Sequence, residues 1–238
     1  MKNNGFLFIG PDPDLIEQMG EKVKGRETMA RHGFPVFPGS ETLGSREDIT
    51  ELASKIGFPL VVKPSGGGGG IGMQVVERAE DLAIAVSRAS SIAEKAFSDP
   101  SLYLEKWINR PRHIEFQIIG DGKGGCVHAF DRECSVQRRH QKLIEESPSP
   151  GLNETMLIER ATLAAEVCRK IKYGSLGTLE TLFLENNEMG FLEMNTRIQV
   201  EHGVTEEVTG LDLVKLQLNL LTGIRLPNQQ DIVRKGFA

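Results

Sequence analysis

Residues Leu192–His202 read LEMNTRIQVEH. Apolar Leu192, Met194, Ile198 and Val200 alternate there with polar Glu193, Asn195, Arg197, Gln199 and Glu201, and only Thr196 blurs the pattern. A period of two predicts an extended strand with one face on a core. The polar face reads either as the solvated side of an antiparallel strand or as one wall of a site. It aligns two carboxylates, two amides and a guanidinium.

The preceding stretch, Ser175–Glu185 (SLGTLETLFLE), is also β-compatible, and Asn186-Asn187 can form a two-residue turn because Asn tolerates positive φ. That register sets Glu180 opposite Glu193, with Cβ atoms about 5 Å apart, where like charges repel. Gly190 leaves room for a shift of one residue. A cation between the carboxylates relieves the repulsion, and magnesium suits oxygen ligands of this kind. Asn195 on the same face is the third candidate ligand.

The chain has 238 residues, a net charge of −5 and a pI near 5.7. It allows one large or two small domains, and a bound phosphate would need local cations. Neither a membrane span nor a secretory signal is apparent. Cys126, Cys134 and Cys168 have no metal-like spacing, which predicts a reduced, cytoplasmic protein.

From the N-terminus, Gly5–Gly10 (GFLFIG) predicts a short buried strand, and Asp14–Arg31 a helix with Leu15, Met19, Val23 and Met29 inward. Lys22 on its own reads as a solvated lysine. A helix over Arg46–Ile56 leads to a strand at Leu60–Lys63. The following PSGGGGGIG, Pro64–Gly72, cannot pack a core. Set between two β runs, it predicts a loop whose bare N–H groups cover phosphates, with Lys63 adding a cation. It is neither a Walker loop nor a dinucleotide fingerprint.

Glu80–Phe97 predicts a helix with Leu82, Val86, Ile92 and Ala93 on its apolar side. Leu102–Ile108, Arg112–Gly120 and Cys126–Arg132 predict strands. His113 reads as a structural histidine. Ser135–Lys142 (SVQRRHQK) concentrates cations in an acidic chain, as a solvated run or an anion site. Helices are predicted at Asn153–Lys172, with Met156, Ala164, Val167, Cys168 and Ile171 inward, and at Leu211–Leu221.

Together GFLFIGP, MGEKV, VVKPSGGGGGIGM, LEKW, PRHIEFQ, DRECSVQRRHQK, GTLETLF and EMNTRIQVEH resemble the biotin carboxylase component of biotin-dependent carboxylases, over about Gly5–Leu226. The resemblance implies an α+β, ATP-grasp fold. A glycine-loop lid over residues 35–107 would close on a main subdomain over 108–238 with a mostly antiparallel sheet, entered through 1–34. It implies a ligase in which ATP phosphorylates bicarbonate to carboxyphosphate, whose carbon dioxide is captured by biotin on a carrier protein.

By the same resemblance Lys22, Lys63, Gly69, Gly70 and His113 would hold the nucleotide's phosphates and ribose region. Glu105, Lys106, Trp107 and Ile108 would contact adenine, with Gln137 and His140 near the ribose or phosphates. Glu180, Glu193 and Asn195 would hold magnesium or manganese beside the ATP. Lys142, Arg197, Gln199, Val200 (through its backbone) and Glu201 would bind bicarbonate, with Glu201 as base and Arg197 and Lys142 as catalytic cations. Implied partners are a biotinyl carrier, a carboxyltransferase and a second copy of the chain, with no nucleic acid and no membrane. An organelle such as the mitochondrion is the alternative compartment for a piece of a longer protein.

The family has an N-terminal domain before GFLFIG and a segment with a biotin-steadying arginine after the last helix, so the chain reads as an isolated core. Ile71 stands where the family has a basic residue, and Gly203 where it has a proline, which predicts a looser site strand. Two other functions remain open: another bicarbonate-phosphorylating ATP-grasp ligase, such as a carbamoyl-phosphate synthetase half, and a nucleotide-binding remnant or regulatory module.

Overall fold

The computed structural model describes residues 5–44, 49–66, 69–139 and 141–238. Helices α1 (Pro13–Gly20) and α2 (Lys22–Arg31) open the fold. The predicted single helix breaks at Glu21, which is extended (φ −86°, ψ 115°). Leu15, Met19, Val23 and Met29 are nevertheless all buried, so the periodicity carried across the break. Residues 5–10 form no strand. Phe6 and Leu7 are 67% and 79% exposed, because no described segment pairs with them.

Helix α3 (Ile49–Ile56) follows; the predicted helix's first three residues, 46–48, lie outside the described ones. Strands β1 (Leu60–Pro64) and β2 (Gln74–Val76), helix α4 (Leu82–Phe97) and strand β3 (Leu102–Lys106) build a three-stranded antiparallel sheet ordered β2-β1-β3. Ala85, Ala89 and Ala93 form α4's buried stripe, whereas Ile92 is exposed, against expectation. Small residues let the helix lie close on Leu60, Val62, Leu102 and Leu104.

A second, five-stranded sheet has the order β6-β5-β4-β7-β8. It comprises β4 (Arg112–Asp121), β5 (Cys126–Arg138), β6 (Gln141–Glu146), β7 (Gly174–Phe183) and β8 (Met189–Asn195). Helix α5 (Glu154–Lys170), capped by Asn153, covers one face with Leu157, Ala161, Ala164, Val167 and Cys168. Helices α6 (His202–Thr209) and α7 (Leu213–Leu221) lie on the opposite face, where Leu213 packs with Ile119, Val127 and Leu176 and Arg132 donates to Thr205. Among the described residues no helix is long and apolar enough to cross a membrane.

The organising strand is shorter than its pattern. β8 stops at Asn195, and Glu201 is the N-cap residue of α6. Val200 is accordingly 95% exposed instead of facing a core. Gly203 sits in the first turn of α6, not in a strand, so the expected loosening of a site strand does not arise.

The β7–β8 turn also differs from the two-residue expectation. Leu184 N donates to Glu188 O at 2.9 Å, and Asn187 (φ 65°) is left-handed, which makes a three-residue loop. A bulge then restores the register: Thr181 pairs with Phe191, but Glu180 pairs with Glu193, leaving Leu192 as the extra residue.

His128 on β5 is buried at 2% exposure, and its Nδ1 accepts from Phe130 N at 3.3 Å. Burial is the main cause that lowers its pKa from 6.5 to about 4, with Asp131 opposing and Arg234 assisting. The neutral ring's contribution is therefore complete above pH 6.5 and is lost as pH falls toward about 4, at up to about 1.4 kcal/mol per pH unit. Urea unfolding across that window should give the wild type a steeper acid loss than His128→Gln. Parallel curves would refute this assignment.

Candidate active site

The two sheets flank a cleft of about 350 Å³. Of the residues predicted for a nucleotide, Lys22, Lys63, Gly69, Gly70, Glu105, Lys106, Trp107, Ile108, His113, Gln137, Glu180 and Glu193 all line it. His140, Gly67 and Gly68 lie outside the described residues. Trp107 and Ile108 follow β3 instead of ending it. The sequence reading missed Phe37, Val61, Met73, Arg110, Leu182 and Phe191, which supply apolar wall and rim. They lie on six separate segments, so no local pattern joins them.

Lys63 and Glu105 form a buried ion pair across β1 and β3. Lys22, at the start of α2, lies 3.4 Å from Glu193. His113 contacts Gln137 through Nδ1 at 2.9 Å. Its Nε2 is 2.9 Å from Glu180 Oε2 but out of line for a hydrogen bond.

Behind Glu180 lies a charged cluster. Lys142 Nζ is 2.5 Å from Glu115 Oε2, 2.9 Å from Glu180 Oε1 and 2.5 Å from Glu201 Oε1. Burial pulls the Lys142 pKa down, but Glu115 and Glu180 outweigh it and hold the ammonium charged. Burial likewise raises the Glu180 pKa, and His113 and Lys142 reverse the shift to well below the usual carboxylate range. Glu201 is lowered too: burial opposes, and the hydrogen bond from Lys142 prevails.

Gln199 is buried. Its Nε2 donates to Glu180 Oε1 at 2.9 Å, while its Oε1 has no partner. Arg197 stays exposed, bonding Asn195 Oδ1 at 3.3 Å and Ile198 O at 3.2 Å. The idea that Arg197 and Glu201 share a strand face does not hold, because β8 has ended before both.

Beneath the cluster Arg132 is fully buried, a role the sequence reading missed. It donates to Glu115 Oε1 at 2.6 Å, Gln117 Oε1 at 2.8 Å, Thr205 Oγ1 at 2.7 Å and Thr178 Oγ1 at 3.2 Å. Arg132 and Glu115 are cross-strand partners.

Three side chains at the cleft offer oxygens to a divalent cation. Glu180 and Glu193 face each other in register, and Asn195 Nδ2 lies 2.9 Å from Glu180 Oε1 and 3.5 Å from Glu193 Oε1. Turning the Asn195 amide over presents its oxygen and completes an all-oxygen set, which suits magnesium or manganese. Two other groupings, His113 with Glu115 and Glu180, and Glu115 with Cys134 and Glu201, include Glu115, whose oxygens are already bound by Arg132 and Lys142. Glu180, Glu193 and Asn195 are residues that could hold such an ion.

Residues 21–229 match the family described as carbamoyl-phosphate synthase L chain, ATP binding domain. Biotin carboxylase 2 of Bacillus subtilis (strain 168) is 48% identical over 239 residues, which cover all of this chain and 54% of that protein. The crystal structure of a biotin carboxylase–β,γ-ATP complex from Campylobacter jejuni superposes with a TM-score of 0.95 at 43% identity, covering 99% of this chain and 53% of that one. The biotin carboxylase domain dimer of Hydrogenobacter thermophilus 2-oxoglutarate carboxylase, in complex with MgADP, ADP and bicarbonate, gives 0.95 at 42% identity, with 99% and 52% covered. The chain thus spans about half the length of the relatives it matches. The architecture is the α+β, ATP-grasp one. The chain belongs to the family of carbamoyl-phosphate synthase L chain ATP-binding domains, and the relatives it matches there are biotin carboxylases.

Proposed function

We propose that the chain is the ATP-grasp core of a biotin carboxylase, which uses ATP and bicarbonate to carboxylate biotin on a carrier protein. The observation that carries this reading is the position of Glu180. It lines the nucleotide-sized cleft and also receives Lys142 and Gln199 at 2.9 Å. The phosphate end of the cleft therefore abuts an anion pocket, as transfer of a phosphoryl group to bicarbonate requires.

In this reading Lys22, Lys63, Gly69, Gly70 and His113 hold the nucleotide's phosphate and ribose region, with Gln137 beside them. Glu105 and residues 106–108 flank the base. Magnesium or manganese, held by Glu180, Glu193 and Asn195, neutralises charge on the transferring phosphoryl group when bound. Lys142, Arg197, Gln199 and the Val200 backbone receive bicarbonate, and the orphaned Gln199 Oε1 accepts its hydroxyl.

Glu201 takes the proton. Lys142 keeps Glu201 a weak base before bicarbonate arrives. An arriving anion competes for that ammonium and raises the proton affinity of Glu201 at the moment deprotonation is needed. Bicarbonate oxygen then attacks the γ-phosphorus and ADP leaves, giving carboxyphosphate. Its breakdown yields phosphate and the carbon dioxide that biotin N1 captures.

A biotinyl carrier, a carboxyltransferase and a second copy of the chain are the partners. The dimeric biotin carboxylase domain of a 2-oxoglutarate carboxylase supports the last. Three buried free cysteines fit the cytoplasm.

The test is ADP release from Mg-ATP with and without bicarbonate, then with added biotin. Release that depends on bicarbonate and rises with biotin is expected. Bicarbonate-dependent release indifferent to biotin would favour a carbamoyl-phosphate synthase-like reaction. Absence of release from folded protein would leave a nucleotide-binding module.

A further inference from the structure

We propose that residues 35–40 are a strap that sets the base end of the cleft, with Phe37 as a specificity-determining residue for a purine and Arg26 as its positioning residue. The inference rests on the nucleotide reading of the cleft.

The strap is tied to both sheets. At one end Phe191 N donates to Pro35 O at 2.8 Å, and Val36 bridges Phe191 in parallel. At the other end Gly39 bridges Glu105, while Lys106 N donates to Pro38 O and Ser40 N to Leu104 O, each at 2.8 Å. Leu104 N donates to Ser40 Oγ at 2.9 Å. The segment therefore fixes the spacing between β8 and β3, whose residues face each other across the cleft.

Phe37 sits between these anchors and lines the cleft with Phe191 and Trp107. Its ring lies against Gly190, where a Cβ would come within 2.3 Å of the ring atoms. Only glycine allows the ring that seat. A wall so fixed offers one flat face to a base, and base–aromatic contact grows with ring area.

Arg26 holds the strap from behind. On α2, one turn after Lys22, it donates to Phe37 O at 3.4 Å and to Ser40 O. Gly39 makes room for it, since a Cβ there would lie 2.2 Å from Arg26 Nη1. One helix face thus serves both ends of the ligand, with Lys22 at the phosphates and Arg26 behind the base wall.

The experiment is calorimetric binding of ATP, CTP and inorganic tripolyphosphate to the whole chain and to Phe37→Ala, Gly190→Ala and Arg26→Gln. Circular dichroism would verify that each is folded. The wild type should prefer ATP to CTP. Phe37→Ala should weaken ATP about tenfold, the worth of one base–aromatic contact, narrow the ATP/CTP ratio and leave tripolyphosphate unchanged. Gly190→Ala and Arg26→Gln should shift the ratios the same way without touching the nucleotide. Equal losses for ATP and tripolyphosphate, or an unchanged ATP/CTP ratio in Phe37→Ala, would overturn the strap and leave the nucleotide reading standing. A wild type that binds none of the three would overturn both. Should Arg26→Gln or Gly190→Ala fail to fold, Phe37→Ala alone decides the specificity role.

Discussion

Arg132→Ala is expected to destabilise the protein by about 3–5 kcal/mol, the cost of removing one partner of a buried ion pair. Arg132 and Glu115 are both fully buried. Without the guanidinium, Glu115 keeps, among the described residues, only Lys142 at 2.5 Å as an ion-pair partner. Gln117 Oε1 and Thr205 Oγ1 also lose their donor, which adds unsatisfied groups to an unpaired charge. Thr205 belongs to α6, so the loss should reach the helix that Glu201 caps. Urea unfolding of the wild type and variant gives the number. A difference below about 1 kcal/mol, the range of exposed pairs, would mean that the network is not structural.

Glu201→Gln should lower bicarbonate-dependent ADP release by about 10²–10⁴-fold, the usual worth of a positioned general base. ATP affinity should hold, because Glu201 does not line the nucleotide cleft. Its carboxylate accepts from Lys142 Nζ at 2.5 Å, and the amide keeps an acceptor for that bond, so the fold should tolerate the change. Single-turnover rates with and without bicarbonate, beside ATP binding, separate the outcomes. Retention of bicarbonate-dependent turnover would remove Glu201 from the role of base.

Much of the site is legible in the sequence, because its carboxylates are costly to place together without a reason. The facing of Glu180 and Glu193 follows from two adjacent strands, and the structure has that pair. The turn that suggested it is one residue longer than expected, and a bulge makes up the difference. Arg132 shows the opposite case. Near its tip the β4–β5 hairpin pairs Ile118 with His128, a count that would place Arg132 beside Ile114. A shift between Phe116 and Ile118 brings it to Glu115 instead. Bulges leave no local mark in composition, so a buried pair that depends on one stays hidden.

Residues 5–10 were misread for a related reason. An apolar run states that a segment can be a strand, not that a neighbour exists to pair with it. The break at Glu21 was silent because inward residues continue on both sides. The shortened β8 was silent because alternation in residues 196–202 persists after the backbone has turned toward a helix.

The bulge at Leu192 amounts to one residue of slack in β8, and its location chooses which side chain meets Glu180. Were the slack to slide past Glu193, Leu192 would stand opposite Glu180 and the second carboxylate would turn to the other face. The 2.8 Å bond from Phe191 N to Pro35 O anchors the strand immediately before the extra residue. A backbone bond that touches no charged group thereby keeps the two carboxylates in step.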